Sequence, residues 1–322
     1  MTKDRVLDFL WSHADESISG EELAARLELS RTAVWKAVDQ LRGEGYLIES
    51  APRRGYRLLS KSDVLSEAGI RKYLNCPELR LRCFAEIGST NTALKELANR
   101  GEAAGLALVA GRQTAGRGRM GRSFFSPEDS GVYLSLLLRP SLPASEATAI
   151  TACAAVAVAE SIEALSNRAA QIKWVNDIFV DGRKVCGILT EASVDCESGM
   201  MHHVIIGIGV NTRVPDGDFP EELRGIAGAA FGAETVPELR CRLAAAILDR
   251  LMDYTPDPAA PAVFEGYKKR SLVLGKDYDI LAPGREPEPA VALDLNEDYS
   301  LLVRLPDGST RRLNSGEVSV KL

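Results

Sequence analysis

Three short stretches of this sequence hold residue types that handle anions. The first is Gly116-Arg117-Gly118-Arg119-Met120-Gly121-Arg122, preceded by Gln113. Its glycines permit tight turns and close approach of backbone to a ligand. Its arginines suit phosphate or carboxylate groups. No G-K-[ST] follows, so it is not a Walker A loop. A flexible basic surface loop has the same composition, and the segment alone leaves both readings open. The second stretch is Lys173-Trp174-Val175-Asn176-Asp177, followed by Lys184-Val185-Cys186-Gly187-Ile188-Leu189. Lysines at 173 and 184 on the arms of a hairpin can point into one cleft, although a lone strand lysine is usually solvated. Trp174 reads equally as core or as a ligand platform. Asp177 suits a magnesium ion or an ammonium group. The third, Glu86-Ile87-Gly88-Ser89-Thr90-Asn91, leaves a strand and opens a helix, where Ser89 or Thr90 serves as N-cap with or without a ligand. In Gly207-Ile208-Gly209-Val210-Asn211 the glycines either serve a site or only allow close packing in a sheet.

Alternating elements must position these stretches. The pattern predicts strands over 81–87, 107–110 and 132–138, and helices over 91–99 and 145–165. A hairpin of 171–180 and 183–193 follows, turning at Asp181-Gly182, then a buried strand over 203–210. Helices are expected near 237–253 and 260–270, and short strands from Gly275 onward suggest a small β-barrel.

The N-terminal segment is different. Val6, Phe9 and Leu10 have helical spacing, and Ser19-Gly20-Glu21-Glu22 is a capping box. After Leu29-Ser30, a third helix buries Ala33, Val34, Ala37, Val38 and Leu41 and shows Arg31, Thr32, Trp35, Lys36, Asp39 and Arg42. Tyr46 to Ile48 and Tyr56 to Leu59 read as strands around a turn carrying Arg53 and Arg54. This order resembles a winged helix-turn-helix. In that geometry Ser30, Arg31 and Thr32 lie at the reading end of the third helix, Lys36 faces phosphate, and Arg53 and Arg54 lie along the DNA backbone. A small helical domain with a solvated charged face is the plainer alternative.

Composition bounds the rest. The chain has 322 residues, enough for two or three domains, with 45% hydrophobic and 26% charged residues. Six cysteines lack C-x-x-C spacing and there are three histidines, which disfavours a structural zinc site. With no G-x-S-x-G, a Ser-His-Asp hydrolase is disfavoured too. The apolar run Ala149 to Ala159 is shorter than the ~20 residues of a membrane span. The N-terminus does not read as a signal peptide, so the expected compartment is the cytoplasm and no membrane partner is expected. Net charge is −6. Residues 1–61 hold ten basic and ten acidic side chains, so the remainder carries all of it.

The ordered set Ser89-Thr90-Asn91, Gln113 with GRGRMGR, KWVND, Lys184 with Gly187-Ile188-Leu189 and Glu191, and GIGVN, before a β-rich tail, resembles the biotin–protein ligases. With the winged head, the chain resembles their bifunctional form, ligase plus biotin operon repressor. The resemblance implies an α/β (α+β) protein of three domains. These are a winged helix-turn-helix over 1–61, a mixed-sheet ligase domain over 62–272 and an SH3-like β-barrel over 273–322. It implies joining of biotin to ATP as biotinyl-5′-adenylate, with Mg2+, then transfer to a lysine of a biotin carboxyl carrier domain. The adenylate is the implied corepressor for operator DNA, bound by a homodimer. Matched position by position, Ser89, Thr90, Asn91, Gln113, Arg117, Gly118, Arg119 and Lys184 fall on the biotin site. Arg119, Arg122, Lys173, Asn176 and Asn211 fall around ATP. Lys184, Arg117 and Asp177 are the implied catalytic groups, with Asp177 as the magnesium candidate. The chain departs from the family pattern at Val175, where proline is usual, at Met120, where arginine is frequent, and at Cys186, where small residues are common. None of these removes a group the chemistry requires. A ligase with a vestigial head, a non-catalytic ligand-sensing regulator and a lipoate ligase are the alternatives.

Overall fold

The computed structural model describes residues 2–51, 55–59, 63–232, 236–281, 286–314 and 317–320. The chain divides into two compact units, Met1–Tyr73 with Ala233–Arg242, and Leu74–Gly232 with Leu243–Leu322.

The smaller unit begins with α1 (Thr2–Ser12), α2 (Gly20–Arg26) and α3 (Arg31–Gly43). Ser19 caps α2 by accepting from Glu22 N, and Ser30 caps α3 by accepting from Ala33 N. Each cap satisfies an N–H that a helix start leaves without a partner. Val6, Leu10, Leu23, Val34, Val38 and Leu41 form one core with Ile48 and Leu58. Those last two residues sit on β1 (Ile48–Ala51) and β2 (Gly55–Leu58), which pair antiparallel. Ala33, expected in the core, is half-buried. The expected wing arginines, Arg53 and Arg54, lie outside the described residues. A short helix, α4 (Glu67–Arg71), was not visible in the sequence pattern. Of the expected linker Lys61-Ser62-Asp63, only Asp63 is described. Its carboxylate accepts from Arg240 N at 3.1 Å and Nε at 3.2 Å, so it is a fixed point.

The larger unit alternates β3 (Arg80–Ile87), α5 (Thr90–Asn99), β4 (Leu106–Gln113), β5 (Gly131–Leu138) and α6 (Ala147–Ser166). Next come β6 (Gln171–Lys173), β7 (Asp177–Val180), β8 (Arg183–Val194) and β9 (Met201–Asn211). The helices α7 (Leu239–Tyr254, its first turn counted with the smaller unit) and α8 (Pro261–Lys269) follow. The seven strands make one mixed sheet in the order β3-β4-β5-β9-β8-β7-β6, with only β3 and β4 parallel. Leu94 and Ala98 of α5 pack on Leu106, Leu108, Leu137 and Ile205 of this sheet.

Helix α6 is buried nearly all round, and its alanines let it lie close to its neighbours. The run Ala149 to Ala159 is too short for a bilayer, but the helix extends well past it. The helical stretch Ala144–Ser166 has 23 residues and is long and apolar enough to cross one by length and composition, yet 67% of its apolar window is buried inside the protein. It is a core helix here.

The expected single strand over 171–180 is instead two short strands. The chain reverses at Trp174-Val175-Asn176, with a cis Trp174–Val175 peptide. Three contacts fix the reversal. Trp174 Nε1 donates to Tyr299 O at 2.8 Å, Tyr267 donates to Val175 O at 3.2 Å, and Asn176 Nδ2 donates to Ile188 O at 2.9 Å. Lys173 and Lys184 are therefore not on adjacent arms of a hairpin, because β7 lies between their strands.

The tail forms a five-stranded antiparallel sheet of β10 (Asp277–Leu281), β11 (Glu288–Leu295), β12 (Leu301–Arg304), β13 (Thr310–Leu313) and β14 (Glu317–Val320), ordered β13-β12-β11-β10-β14.

Candidate active site and nucleic-acid face

A cleft of about 330 Å³ opens over the middle of the large sheet. Its walls hold Ser89, Thr90, Asn91, Gln113, Arg117, Gly118, Arg119, Arg122, Lys173, Asn176, Asp177 and Lys184. All the sequence candidates for this site except Asn211 thus come together. Asn211 ends β9 and donates to Gly228 O at 3.2 Å. There it holds the chain that pairs with Lys184, whose N–H donates to Ile226 O at 2.9 Å and whose carbonyl accepts from Gly228 N at 2.9 Å.

The floor is a chain of hydrogen bonds between buried Thr90, Asn91, Ser126 and Ser135 and half-buried Gln113. Thr90 N donates to Gln113 Oε1 at 2.9 Å, and Thr90 Oγ1 lies 3.1 Å from the same oxygen. Ser135 Oγ lies 2.7 Å from Thr90 Oγ1 and donates to Asn91 Oδ1 at 2.6 Å. Gln113 Nε2 donates to Ser126 Oγ at 3.1 Å, which donates to Phe124 O at 3.0 Å. Such a chain holds the floor residues in one orientation before a ligand arrives. Ser89, meanwhile, caps α5.

The two glycines of Gly207-Ile208-Gly209 have specific occupants. A Cβ at Gly207 would stand 2.0 Å from Asn91 Oδ1, and one at Gly209 would stand 2.4 Å from the Phe124 ring. These glycines admit a polar floor side chain and an aromatic wall, so their role is in the site and not only in sheet packing.

Over this floor stand cations. The Gly/Arg stretch closes on itself, with Gly118 N donating to Arg122 O at 2.7 Å and Phe124 N to Gly116 O at 2.9 Å. Arg119 donates to Asn176 Oδ1 at 2.8 Å. Lys184 pairs with Asp177 at 2.7 Å, and Arg117 with Glu191 at 3.0 Å. Burial alone would raise the Glu191 carboxyl; the Asn91 hydrogen bond and the charges of Arg117 and Lys95 outweigh it and hold the group below the usual carboxylate range.

Ser135, Phe124 and Glu191 were not picked out from the sequence as site residues. Ser135 is the one small polar residue in the run Gly131–Leu138, whose other hydroxyl, on Tyr133, donates to Pro127 O, and that exception was its available signal. Glu191 closes the motif begun by Lys184. Phe124 had no signal beyond its nearness to the Gly/Arg stretch.

In the smaller unit, Arg31, Thr32, Trp35 and Lys36 stand on the exposed face of α3, and Trp35 is 56% exposed. Arg31 pairs with Glu21 of α2 at 2.7 Å. This face offers cations, a hydroxyl and an apolar ring side by side, which suits the grooves of DNA.

Five cations around a preorganised polar floor define a class: a domain whose cleft is built for anionic ligands. Residues 83–211 match the biotin/lipoate A/B protein ligase family, and residues 3–57 match a helix-turn-helix domain family. The bifunctional ligase/repressor BirA of Bacillus spizizenii is 44% identical over 221 residues, 68% of this chain and 67% of that one. Its Escherichia coli counterpart is 33% identical over 194 residues, 60% of this chain and 59% of that one. A solved biotin protein ligase from Aquifex aeolicus, in complex with biotin and ATP, superposes with a TM-score of 0.62 at 28% identity, covering 75% of this chain and 98% of that one. The chain belongs to the biotin/lipoate A/B protein ligase family, in the branch of bifunctional ligase/repressors.

Proposed function

We infer that the protein is an ATP-dependent biotin–protein ligase that also represses transcription in its adenylate-bound form. The observation that carries the reading is the meeting of Lys184, Lys173, Arg117, Arg119 and Arg122 over the Thr90-Gln113-Ser135-Asn91 floor.

The chemistry requires such a place. A biotin carboxylate oxygen attacks the α-phosphorus of ATP, and pyrophosphate leaves with the electron pair of the broken P–O bond. Both reactants are anionic, so cations must offset their repulsion. Lys184 and Arg117 serve the reacting carboxylate and α-phosphate; Arg119, Arg122, Lys173 and Asn176 serve the nucleotide. Ser89, Thr90, Asn91, Gln113 and Gly118 hold biotin. Asn211 belongs with the nucleotide residues, next to the segment that pairs with Lys184. The neutral amine of a carrier lysine then attacks the acyl carbon, AMP leaves, and the amine loses a proton, for which Asp177 is the nearest carboxylate to Lys184.

Magnesium fits as a companion of the nucleotide. Among the described residues no group of three His, Cys, Asp or Glu is arranged to hold a resident metal. Asp177 and Asn176 would complete a shell made mostly of phosphate oxygens and water. Bound there, the ion spreads the charge of the leaving pyrophosphate.

The domain assignment 1–61, 62–272 and 273–322, the closing of the last segment into an SH3-like barrel, a homodimer in the adenylate-bound state and a cytoplasmic location are parts of the same reading. So is operator DNA as partner, read by Ser30, Arg31, Thr32 and Lys36, with Arg53 and Arg54 on the backbone. Biotin transfer to a carrier domain in the presence of ATP tests the ligase half. Operator binding with and without biotin tests the repressor half.

A further inference from the structure

Glu191 stands at the end of the row that floors the cleft. Gly187, Leu189 and Glu191 alternate along β8 and so share one face of the sheet, and the first two line the cleft. The Glu191 side chain is 17% exposed and gathers three partners. Asn91 Nδ2 donates to it at 3.1 Å, Lys95 Nζ at 3.4 Å, and Arg117 at 3.0 and 3.2 Å.

These partners belong to different parts of the site. Arg117 belongs to the Gly/Arg stretch above the cleft. Asn91 belongs to the floor, where its other end accepts from Ser135 and thereby reaches Thr90 and Gln113. Asn91 has little freedom to shift, because its carboxamide is crowded against Gly207 and also donates to Leu189 O at 3.3 Å. One carboxylate thus joins the stretch above to the floor below. Arg119 on Asn176, at 2.8 Å, supplies a second fastening for the same stretch.

We propose that Glu191 is a positioning residue that seats the Gly/Arg stretch over the cleft through Arg117 and orders Asn91 beneath it. It touches neither substrate. It fixes the residues that do, and so sets biotin affinity and the retention of the reactive adenylate. This rests on the ligase reading for its consequences but not for the clamp itself.

The test uses the full-length protein and Glu191→Gln, which keeps an acceptor for Asn91 and removes the charge that holds Arg117. Trypsin, which cuts after Arg117, Arg119 and Arg122, is applied without any ligand. The variant's cuts at 117–122 should appear about tenfold faster, with an unchanged thermal midpoint, because a charge-assisted bond is lost and the fold is not. KM for biotin should rise about tenfold while kcat changes less than about threefold. More AMP should be released per biotin transferred. Glu191→Asp should recover part of each effect. Arg117→Gln alone should raise the biotin KM, and adding Glu191→Gln should raise it no further.

Unchanged proteolysis in Glu191→Gln would overturn the clamp, as would additive effects of the two substitutions on KM. If Glu191→Gln lowers the thermal midpoint, Lys95→Met and the double-mutant comparison decide. Lys95→Met leaves Arg117 clamped and should leave trypsin cutting within about twofold; strong opening there would contradict the clamping of Arg117 by Glu191. Faster cutting with no biotin transfer by the wild type would leave the clamp standing and sink the ligase reading alone.

Discussion

Lys184 Nζ lies 2.7 Å from an Asp177 carboxylate oxygen, at the side of the cleft where Arg119 meets Asn176. The pair spans β7 and β8 and is half-buried, with side chains 32% and 21% exposed. Without a substrate the lysine has a carboxylate for a partner. A bound biotin carboxylate or α-phosphate would present the same kind of oxygen to it, so the pair holds the ammonium ready for an anionic substrate.

Replacing Lys184 with Gln should slow adenylation by roughly thirty- to a thousandfold in a folded protein. Removing the ammonium from beside the developing charge should cost ~2–4 kcal/mol of transition-state stabilisation. Pyrophosphate release with biotin and ATP measures it, and a near-normal rate in a variant of normal thermal midpoint would remove Lys184 from the chemistry.

Asp177→Asn separates two roles. It keeps the size of the side chain and loses the base. If Asp177 takes the proton of the acceptor amine, transfer to the carrier should slow more than pyrophosphate release, by roughly a further hundredfold. Single-turnover kinetics of the two half-reactions read the difference, and equal slowing would reduce Asp177 to a tether for Lys184.

Gly207→Ala should be more damaging than an ordinary glycine-to-alanine change in a strand. The new methyl meets Asn91 Oδ1 at 2.0 Å, and Asn91 is fixed by Ser135 and Glu191. A stability loss of ~1–3 kcal/mol is expected from overpacking, with a large loss of biotin affinity. Urea unfolding and biotin titration check the two effects. At Gly209 the obstacle is the Phe124 ring at 2.4 Å, so biotin affinity should fall there as well.

Thiol labelling should follow burial. Burial pushes the Cys153 thiol up to about 12 and raises Cys186 still further, with the Asp177 charge adding to the second. A raised thiol stays protonated, and protonated thiols are poor nucleophiles. At pH 8 an aromatic disulfide reagent should therefore modify exposed Cys196 readily and leave Cys153 and Cys186 unmodified until the protein is unfolded. Raising the pH to 9 should not expose them, since that pH still lies well below the titration of both.

The DNA-binding half predicts that biotin with ATP tightens operator binding and that ATP alone does not. Lys36→Ala should weaken binding to every sequence. In each head it should also reduce the salt slope by about 0.9 for a phosphate that the lysine no longer neutralises. Arg31→Ala should weaken specific sites more than random DNA, with the Arg31–Glu21 pair broken in the variant. Salt-dependent binding isotherms with and without biotin decide. Equal operator affinity in both would end the repressor reading.

Much of the site was legible because its chemistry depends on residue types that sequence displays directly. Arginines between glycines, paired lysines and a capped helix after a strand are local patterns, and most of them met in the cleft. What stayed hidden was non-local. The reversal at Trp174-Asn176 depends on Tyr267, Tyr299 and Ile188, which no local pattern connects to it. Ser135 and Glu191 matter through partners 44 and 100 residues away, both on Asn91. Asn211 reads as a nucleotide residue from the Gly207–Asn211 stretch; its hydrogen bond to Gly228 O, 17 residues on, was not legible there. The β10–β14 sheet was legible as short strands; its strand order was not.

Mass spectrometry of a purified biotin carboxyl carrier domain, incubated with this protein, biotin and ATP, tests the central claim most directly. A ligase leaves the carrier heavier by one biotin acyl group on a single lysine, only when ATP and biotin are both present, and at least about thirtyfold more slowly with Lys184→Gln. An unmodified carrier after incubation with folded, biotin-binding wild-type protein would contradict it.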